Sequence, residues 1–162
     1  MRSSKEEKFE KIYSKYKDDV YRISLMYLKD YQLAEDASQE TFIRVLKKLS
    51  SLRDEAKTKE WLTSIALNVC RDKLRHKSRR EIPVEALPEA DEKRGEPDVK
   101  MTVGEAVGRL APELREIVIL YYYQEFTQSE ISEILKIPQT TVAYRIRTAK
   151  AQLRNYLKEE LG

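Results

Sequence analysis

The residues with the clearest chemical pattern lie between positions 126 and 157, in the stretch FTQSEISEILKIPQTTVAYRIRTAKAQLRNYL. Thr127 and Glu130 have the spacing of a capping box, which predicts the start of a short helix. Pro138 ends that helix, because proline disfavours helical backbone in the residue before it and has no amide hydrogen to donate. A longer helical pattern follows, so the stretch is typical of a helix-turn-helix.

The second helix of this pair has two chemically different faces. One face carries apolar side chains at helical spacing, namely Val142, Ile146, Ala149, Leu153 and Leu157. The opposite face is mainly polar and is formed by Thr141, Tyr144, Arg147, Thr148 and Ala151. A helix that buries one face and presents the other has the geometry with which proteins read a DNA major groove. DNA binding is therefore the leading hypothesis for this stretch.

Positive charge is concentrated on the same helix. Residues 136–158 contain several Lys and Arg side chains and no Asp or Glu, whereas residues 101–135 contain more acids than bases. Because the whole chain has a formal net charge of only +3, this local excess favours contact with a polyanion over a role in solubility alone. The alternative is an ordinary helical hairpin with a solvated basic face.

Composition excludes several other classes of protein. The chain has 162 residues with only 4 glycines and 5 prolines, which favours a soluble, mostly helical protein of one domain or two small ones. No apolar run approaches the ~20 residues of a membrane-spanning helix, and the charged N-terminus does not resemble a secretory signal. We therefore expect a cytoplasmic protein without direct membrane insertion.

Catalytic and metal chemistry are not expected. Cys70 is the only cysteine and His76 the only histidine, so the sequence offers neither a disulfide framework nor the ligands of a catalytic zinc ion. It also shows no nucleophile–base pair, no glycine-rich phosphate loop and no carboxylate cluster. The sequence predicts no catalytic residue, no metal site and no cofactor.

Residues 81–100 divide the chain. This segment is rich in Asp and Glu, contains three prolines and a glycine, and lacks sustained periodicity. Such a composition is typical of an acidic flexible linker. A charged surface loop inside one domain is the alternative, which the length of the segment makes less attractive. The predicted fold is all-α, with one small helical domain at residues 1–80 and a second at residues 101–162.

Three helices are predicted in the first domain. They are expected at about residues 6–29, 32–49 and 59–77, with Asp30 capping the second and a loop over residues 50–58. On the second helix, a separate stripe at helical spacing is formed by Asp36, Gln39, Glu40 and Ile43. A solvated face explains three of these four residues, whereas an isoleucine amid acids also fits a protein-docking patch. Composition alone leaves both interpretations open.

The third helix has a polar and basic side. Ser64, Asn68, Arg71 and Arg75 line this side, and Trp61 lies at its boundary with the apolar side. Cations hold phosphates, and aromatic rings can stack on unpaired bases, so this side suits a single-stranded or distorted nucleic acid. For Trp61 itself, packing against the core is favoured over base stacking.

Three blocks of sequence carry a family resemblance. They are AEDASQETFIRV at residues 34–45, KEWLTSIALNVCRDKLR at residues 59–75, and the block at residues 110–154 that ends in the helix-turn-helix. In this order, and around an acidic linker, they resemble the small two-domain extracytoplasmic-function (ECF) group of the sigma-seventy family of bacterial sigma factors. The resemblance covers nearly the whole chain except the linker.

The resemblance implies roles for the first domain, which is similar to sigma domain two, a bundle of three or four helices. The segment that docks on the clamp helices of the beta-prime subunit of core RNA polymerase matches Asp36, Gln39, Glu40, Phe42 and Ile43. The part that recognises and opens the minus-ten promoter element matches Trp61, Ser64, Asn68, Arg71 and Arg75. In the family, a base is flipped into a pocket of the loop that precedes this helix.

The second domain resembles sigma domain four, whose helix-turn-helix reads the minus-thirty-five element and which also meets the polymerase beta flap. The DNA-binding residues implied are Gln139, Thr140, Thr141, Tyr144, Arg145, Arg147, Thr148 and Lys150. The chain departs from the family pattern at Ala143, where a cation is usual, and at Tyr144, where a small polar residue is usual. The promoter sequence therefore cannot be borrowed from relatives. The triplet at residues 121–123 is also unusual, and we expect it to pack within a helix with one hydroxyl exposed.

The resemblance implies a sigma factor without enzymatic activity, whose partners are core RNA polymerase and promoter DNA. The family also leads us to expect an anti-sigma factor, often membrane-anchored, that covers both DNA-binding faces until a signal arrives. No C-terminal regulatory domain is expected, because the chain ends at Gly162 just after its last predicted helix. The main alternative is a helix-turn-helix regulator that binds duplex DNA as a homodimer without polymerase. A helical interaction protein and a nucleic-acid-modifying enzyme are further alternatives.

Overall fold

A computed structural model describes residues 3–80 and 102–161, and every regular element in these two ranges is helical. The α-helices in these ranges are α1 (Ser4–Leu28), α2 (Tyr31–Lys48), α3 (Thr58–Arg80), α4 (Val103–Arg109), α5 (Pro112–Val118), α6 (Gln128–Leu135) and α7 (Gln139–Leu161). The predicted all-α fold is confirmed. The predicted linker at residues 81–100 lies outside the described residues, so the two domain boundaries stay a prediction.

Side-chain caps begin four of the helices. Ser3, Thr102 and Thr127 each form a capping box with the glutamate three residues later. Asp30 Oδ1 accepts a hydrogen bond of 2.9 Å from the Leu33 backbone N–H, which is the predicted cap of α2. These contacts satisfy amide groups that the first turn of a helix leaves without partners. Local sequence therefore determines where these helices begin.

The first domain is a bundle in which α1, α2 and α3 pack against one another. Its own core consists of Ile12, Val20, Phe42, Val45, Leu49, Leu52, Leu62, Ile65 and Ala66. Trp61 packs at the edge of this core, as its predicted packing role requires. The predicted loop at residues 50–58 contains most of two short 3₁₀ turns, Leu49–Ser51 and Glu55–Lys57. Each turn is three residues long, too short to produce a recognisable apolar period.

A larger hydrophobic cluster joins the two predicted domains. From the first domain it takes Ile23, Tyr27, Leu28, Ala37, Leu67, Val69 and Cys70, and from the second Ile117, Ile119, Leu120, Phe126, Ile131, Ile134, Val142 and Ile146. A smaller cluster lies within the second domain and packs α4 and α5 onto α7. The two domains are therefore in close apolar contact, which the sequence did not predict.

The tyrosine triplet differs from its prediction. Ile119–Tyr123 forms a π-helical turn that continues α5, rather than a regular α-helix. Tyr121 is half-buried, but Tyr122 and Tyr123 are 45% and 44% exposed. Two tyrosine side chains are therefore exposed to solvent, whereas the prediction was that one hydroxyl would be exposed. The wider π turn changes the angular spacing of successive side chains, so α-helical periodicity misplaces them.

Candidate nucleic-acid and polymerase interfaces

The helix-turn-helix is formed by α6 and α7, as predicted. The Thr127 backbone N–H donates to Glu130 Oε1 at 2.8 Å, and the Glu130 N–H donates to Thr127 Oγ1 at 3.1 Å. At the other end of α6, Lys136 adopts the left-handed conformation with φ of 59°, which ends the helix. The Pro138 carbonyl accepts from the Val142 N–H at 3.1 Å and so begins α7. The turn is therefore held at both of its ends.

The outer face of α7 is available to a ligand. Val142, Ile146 and Ala149 are buried on the inner face. Of the eight residues implied in minus-thirty-five binding, five are exposed, namely Gln139, Thr140, Tyr144, Arg147 and Lys150. The other three, Thr141, Arg145 and Thr148, are half-buried at the flanks. The structure thus brings all eight to the accessible part of one helix.

Within the side chains that the structure describes, at residues 3–78 and 102–158, the cations of this face have no acidic partner. None of Arg145, Arg147 and Lys150 forms an ion pair there. The helix does continue to Leu161 and so includes two glutamates beyond the predicted acid-free stretch, but they follow Lys158 at its far end. A row of unpaired cations on an exposed helix face is an electrostatic site for phosphates.

The polar side of α3 is partly engaged by its own neighbours. Asn68 and Arg75 are exposed, and Ser64 is half-buried. Arg75 forms an ion pair with Asp72 one turn earlier. The Asn68 Oδ1 atom accepts a hydrogen bond of 2.8 Å from Arg71 Nη1. The implied minus-ten residues therefore share one face, while the Trp61 ring belongs to the core edge below it.

Arg71 is held by the second domain. Its Nε and Nη2 atoms donate to the two carboxylate oxygens of Glu116 on α5, each at 2.8 Å. The Tyr27 hydroxyl donates to the same carboxylate at 3.1 Å. The hydrogen bond to Glu116 raises the pKa of the Arg71 guanidinium, and burial followed by the Glu116 charge raises the pKa of Tyr27. These shifts favour a charged arginine and a neutral tyrosine.

Sequence reasoning missed Glu116, which is only 5% exposed. A signal was present, because this glutamate directly precedes the buried apolar run at residues 117–120. A carboxylate in such surroundings is expected to have a fixed cationic partner. The identity of that partner, 45 residues away along the chain, could not be read from the pattern.

Arg115 forms a second link between the domains. Its Nη1 atom donates to the Tyr27 carbonyl of α1, and its Nη2 atom donates to the carbonyls of Gly108 and Leu110 at 2.9 and 3.1 Å. Burial lowers the pKa of this guanidinium. Three carbonyls at helix ends thus take the place of a carboxylate partner, and the end of α1 is tied to the end of α4.

An apolar groove runs between α1 and α2. Its volume is about 270 Å³, and it is lined by Phe9, Tyr13, Ser38, Gln39, Phe42, Ile43 and Leu46. Phe42 is only 5% exposed and forms the floor, where its ring meets that of Tyr13 edge-on with centroids 4.9 Å apart. Ile43 and Leu46 are 48% and 40% exposed on one wall. The groove offers apolar surface to a partner helix.

The five residues implied in polymerase docking are divided between different surroundings. Gln39, Phe42 and Ile43 line the groove. Glu40 forms an ion pair of 3.1 Å with Arg44. Asp36 lies instead in a separate cavity of about 490 Å³ beside the C-terminal part of α3. The sequence missed the α1 side of the groove, because apolar periodicity alone does not show which α1 positions remain exposed.

The described residues hold neither a metal site nor a membrane-spanning helix. Among the side chains of residues 3–78 and 102–158, no group of three or more His, Cys, Asp or Glu could hold a metal ion. No helix in these same ranges is long and apolar enough to cross a membrane.

Comparison with known proteins identifies the family. Residues 12–80 match the Sigma-70 region 2 family, and residues 100–153 match Sigma-70 region 4. The chain is 32% identical over 161 residues to the ECF RNA polymerase sigma factor SigM of Bacillus subtilis, with 90% of this chain and 94% of SigM aligned. The chain belongs to the sigma-70 family, in its ECF group. SigW of the same organism is 28% identical over 162 residues, covering 89% of this chain and 86% of SigW.

Solved structures agree with this assignment at the level of the fold. A sigma factor RpoE, crystallised with the anti-sigma factor NepR from Bartonella quintana, matches 93% of this chain and 97% of its own with a TM-score of 0.74 and 20% identity. CnrH, in complex with the cytosolic domain of CnrY, matches 94% and 88% with a TM-score of 0.71 and 21% identity. The family resemblance drawn from the sequence is confirmed, and the polymerase-independent regulator is not favoured.

Proposed function

We propose residue-level roles for this ECF sigma factor in promoter-directed initiation by RNA polymerase. The outer face of α7 reads the minus-thirty-five element as duplex, and the polar side of α3 engages the minus-ten element as it opens. The observation that carries the proposal is that Arg147 and Lys150 are exposed on α7, without an ion pair among the described side chains, within a capped helix-turn-helix. Phosphate contacts from such cations fix the register of the helix, and its polar side chains then read base edges.

On the recognition helix, Tyr144 has the role that distinguishes this chain from its family. Tyr144 is 61% exposed, and it lies in the second turn of α7, one turn before Arg147. A phenol can contact a thymine methyl group with its ring and a base edge or phosphate with its hydroxyl. Ala143 beside it supplies no cation, so Arg145, Arg147 and Lys150 carry the phosphate contacts on this helix.

Opening of the minus-ten element requires binding rather than catalysis. Extruding a base costs a few kcal/mol of unstacking, which cationic contacts to the displaced strand can offset. Asn68 and Arg71 supply a hydrogen-bonding amide and a forked cation on the exposed side of α3. The relatives are sigma factors, a class of protein that recruits an enzyme and is not itself one in the usual sense.

Core RNA polymerase is the proposed occupant of the groove between α1 and α2. The groove combines exposed apolar side chains, Ile43 and Leu46, with the adjacent polar Gln39. A helix of the beta-prime clamp laid along it would bury the apolar wall and meet the acids of α2 at the rim. The second domain would contact the beta flap, so that polymerase holds both DNA-reading helices at a set spacing.

An anti-sigma factor is the proposed regulator. In both solved structures of similar fold, the matching chain is in complex with another protein, and for RpoE that protein is named an anti-sigma factor. This supports a partner of the same kind here, one that covers the DNA-binding faces in the cytoplasm and is held at the membrane by its own anchor. Release by a signal would then free the sigma factor for polymerase.

Run-off transcription with bacterial core polymerase on a genomic promoter library tests the proposal. With this protein added, we expect start sites that are absent without it and that share two spaced elements. Arg147→Ala should remove these starts while binding to core polymerase persists. Specific duplex binding by the protein alone, without any new initiation, would contradict the proposal and favour the regulator.

A further inference from the structure

The contact between the two domains uses a residue that the proposed function needs for DNA. Arg71 is placed to hold the opened minus-ten strand, but in this structure the edge of its guanidinium formed by Nε and Nη2 is bound to Glu116. Carboxylates and phosphates present the same pair of oxygens to an arginine fork. A single guanidinium cannot bind both at once through the same edge. We propose that Glu116 is an internal competitor of promoter DNA, which occupies the phosphate-binding edge of Arg71 and keeps the free sigma factor closed.

The surroundings of Glu116 make it an effective competitor. Its side chain is 7% exposed, and its carboxylate also accepts the Tyr27 hydroxyl at 3.1 Å. Because burial and the Tyr27 hydroxyl already fix this carboxylate, it loses little freedom when it holds Arg71, unlike a side chain in solvent. The remaining nitrogen of the guanidinium, Arg71 Nη1, donates to Asn68 Oδ1. A second residue implied in minus-ten binding therefore belongs to the same hydrogen-bond network.

Further contacts place the second domain over α3. Lys59 donates to the Gln124 carbonyl at 3.3 Å, and its ammonium lies 5.1 Å from the centroid of the Phe126 ring. Lys57, just before α3, forms an ion pair of 3.4 Å with Glu133 on α6. The shared hydrophobic cluster lies beneath these polar contacts. The outer face of α7 remains exposed, so closure affects the two DNA-reading helices unequally.

Promoter binding requires this contact to open. The minus-ten and minus-thirty-five elements are about 25 base pairs apart, which is roughly 85 Å along B-DNA at 3.4 Å per base pair. A compact chain of this length has a radius of gyration of about 15 Å. With Arg71 within hydrogen-bonding distance of α5, the two helices cannot reach both elements together. The closed form is therefore incompatible with the proposed promoter complex. This inference rests on the proposed function.

The first test measures binding of the free, full-length protein to random-sequence single-stranded DNA. Glu116→Gln should raise the affinity about tenfold, because it replaces a charged competitor with a neutral one. Glu113→Gln is the matched control, since Glu113 is exposed on the same helix and its substitution changes the net charge equally. In an Arg71→Ala background, Glu116→Gln should give no gain. Equal affinities for the two glutamine variants, or a gain that persists without Arg71, would overturn the competition.

The second test locks the domains together without touching Arg71 or Glu116. In the variant Lys57→Cys/Glu133→Cys, both positions are exposed and are joined by a short bismaleimide with a reducible disulfide. Native Cys70 is fully buried, and burial raises the pKa of its thiol to about 12, so it should not react. The locked protein should lose single-stranded DNA binding and promoter-directed initiation, and reduction should restore both. Undiminished binding by the locked protein would refute the closed state as an inhibited one.

The two proposals fail in different ways. If Glu116→Gln changes nothing but the unmodified protein directs promoter-specific initiation, the competition is wrong and the proposed function stands. If the unmodified protein with core polymerase gives no specific starts, the proposed function fails regardless of the state of the domain contact.

Discussion

Truncating the exposed wall of the groove between α1 and α2 should weaken binding to core RNA polymerase. Ile43 and Leu46 are 48% and 40% exposed, and these exposed fractions are what a docked helix would cover. Burying a whole side chain of this type contributes about 1.5–3 kcal/mol, so covering the two exposed parts contributes about 1.3–2.6 kcal/mol. Because alanine keeps the β-carbon, we expect Ile43→Ala/Leu46→Ala to lose about 1–2 kcal/mol, or roughly 5- to 30-fold in affinity.

The assay is a fluorescence anisotropy titration of N-terminally labelled protein with core polymerase. Val103→Ala is the matched control, since Val103 is 52% exposed but lies on α4 of the second domain, away from the groove. Circular dichroism should show that the double variant keeps the helical fold. An affinity within twofold of the unmodified protein, or an equal loss in Val103→Ala, would refute the assignment of the groove to polymerase.

Three other expectations concern single positions. Arg147→Ala should weaken binding of the holoenzyme to promoter duplex by about 1–3 kcal/mol in a mobility-shift titration. The control Lys158→Ala, at the far end of α7, should weaken it much less. Equal losses in the two variants would contradict the role of Arg147 in promoter recognition. Burial raises the pKa of the Cys70 thiol from 9.0 to about 12, so above about pH 9 the thiol ionises in the unfolded chain but stays neutral in the folded one. The free energy of unfolding should therefore fall by about 1.4 kcal/mol per pH unit more steeply than in Cys70→Ala, and parallel urea-denaturation profiles from pH 8 to 10.5 would exclude this. Thr127→Ala should lower the free energy of unfolding by about 1 kcal/mol, because the helix cap of α6 is lost. Ser129→Ala, at an exposed position of the same helix, should leave it unchanged. Equal stability of the two variants in calorimetry would count against the capping box.

The predictions that succeeded rest on local rules. Thr127 with Glu130, and Asp30 before α2, follow from the spacing of a polar side chain and the amides of one helical turn. The two faces of α7 follow from the angle between successive residues of a helix. Such features are decided within a few residues, and sequence alone contains the information needed to place them.

The features that were missed depend on contacts between distant residues. Arg71 was assigned to DNA, but whether it faces solvent or Glu116 depends on how two domains meet. Phe42 was implied in polymerase docking, but that it forms the floor of a groove, with the Tyr13 ring of α1 packed against it, depends on how α1 and α2 meet. Helical periodicity gives the direction of a side chain, whereas its burial depends on a neighbouring element that periodicity does not describe.

The hydrophobic cluster shared by the two domains has a consequence for folding. Tyr27 and Leu67 on one side, and Leu120 and Ile131 on the other, are each no more than 1% exposed. Because neither half completes this cluster alone, the closed chain should unfold as a single cooperative unit in calorimetry, although it contains two family regions. Fragments cut within residues 81–100 would each expose part of an unfinished core and would be prone to aggregate. Helical content and aggregation of separately expressed fragments would therefore report on the closed state without any DNA or polymerase.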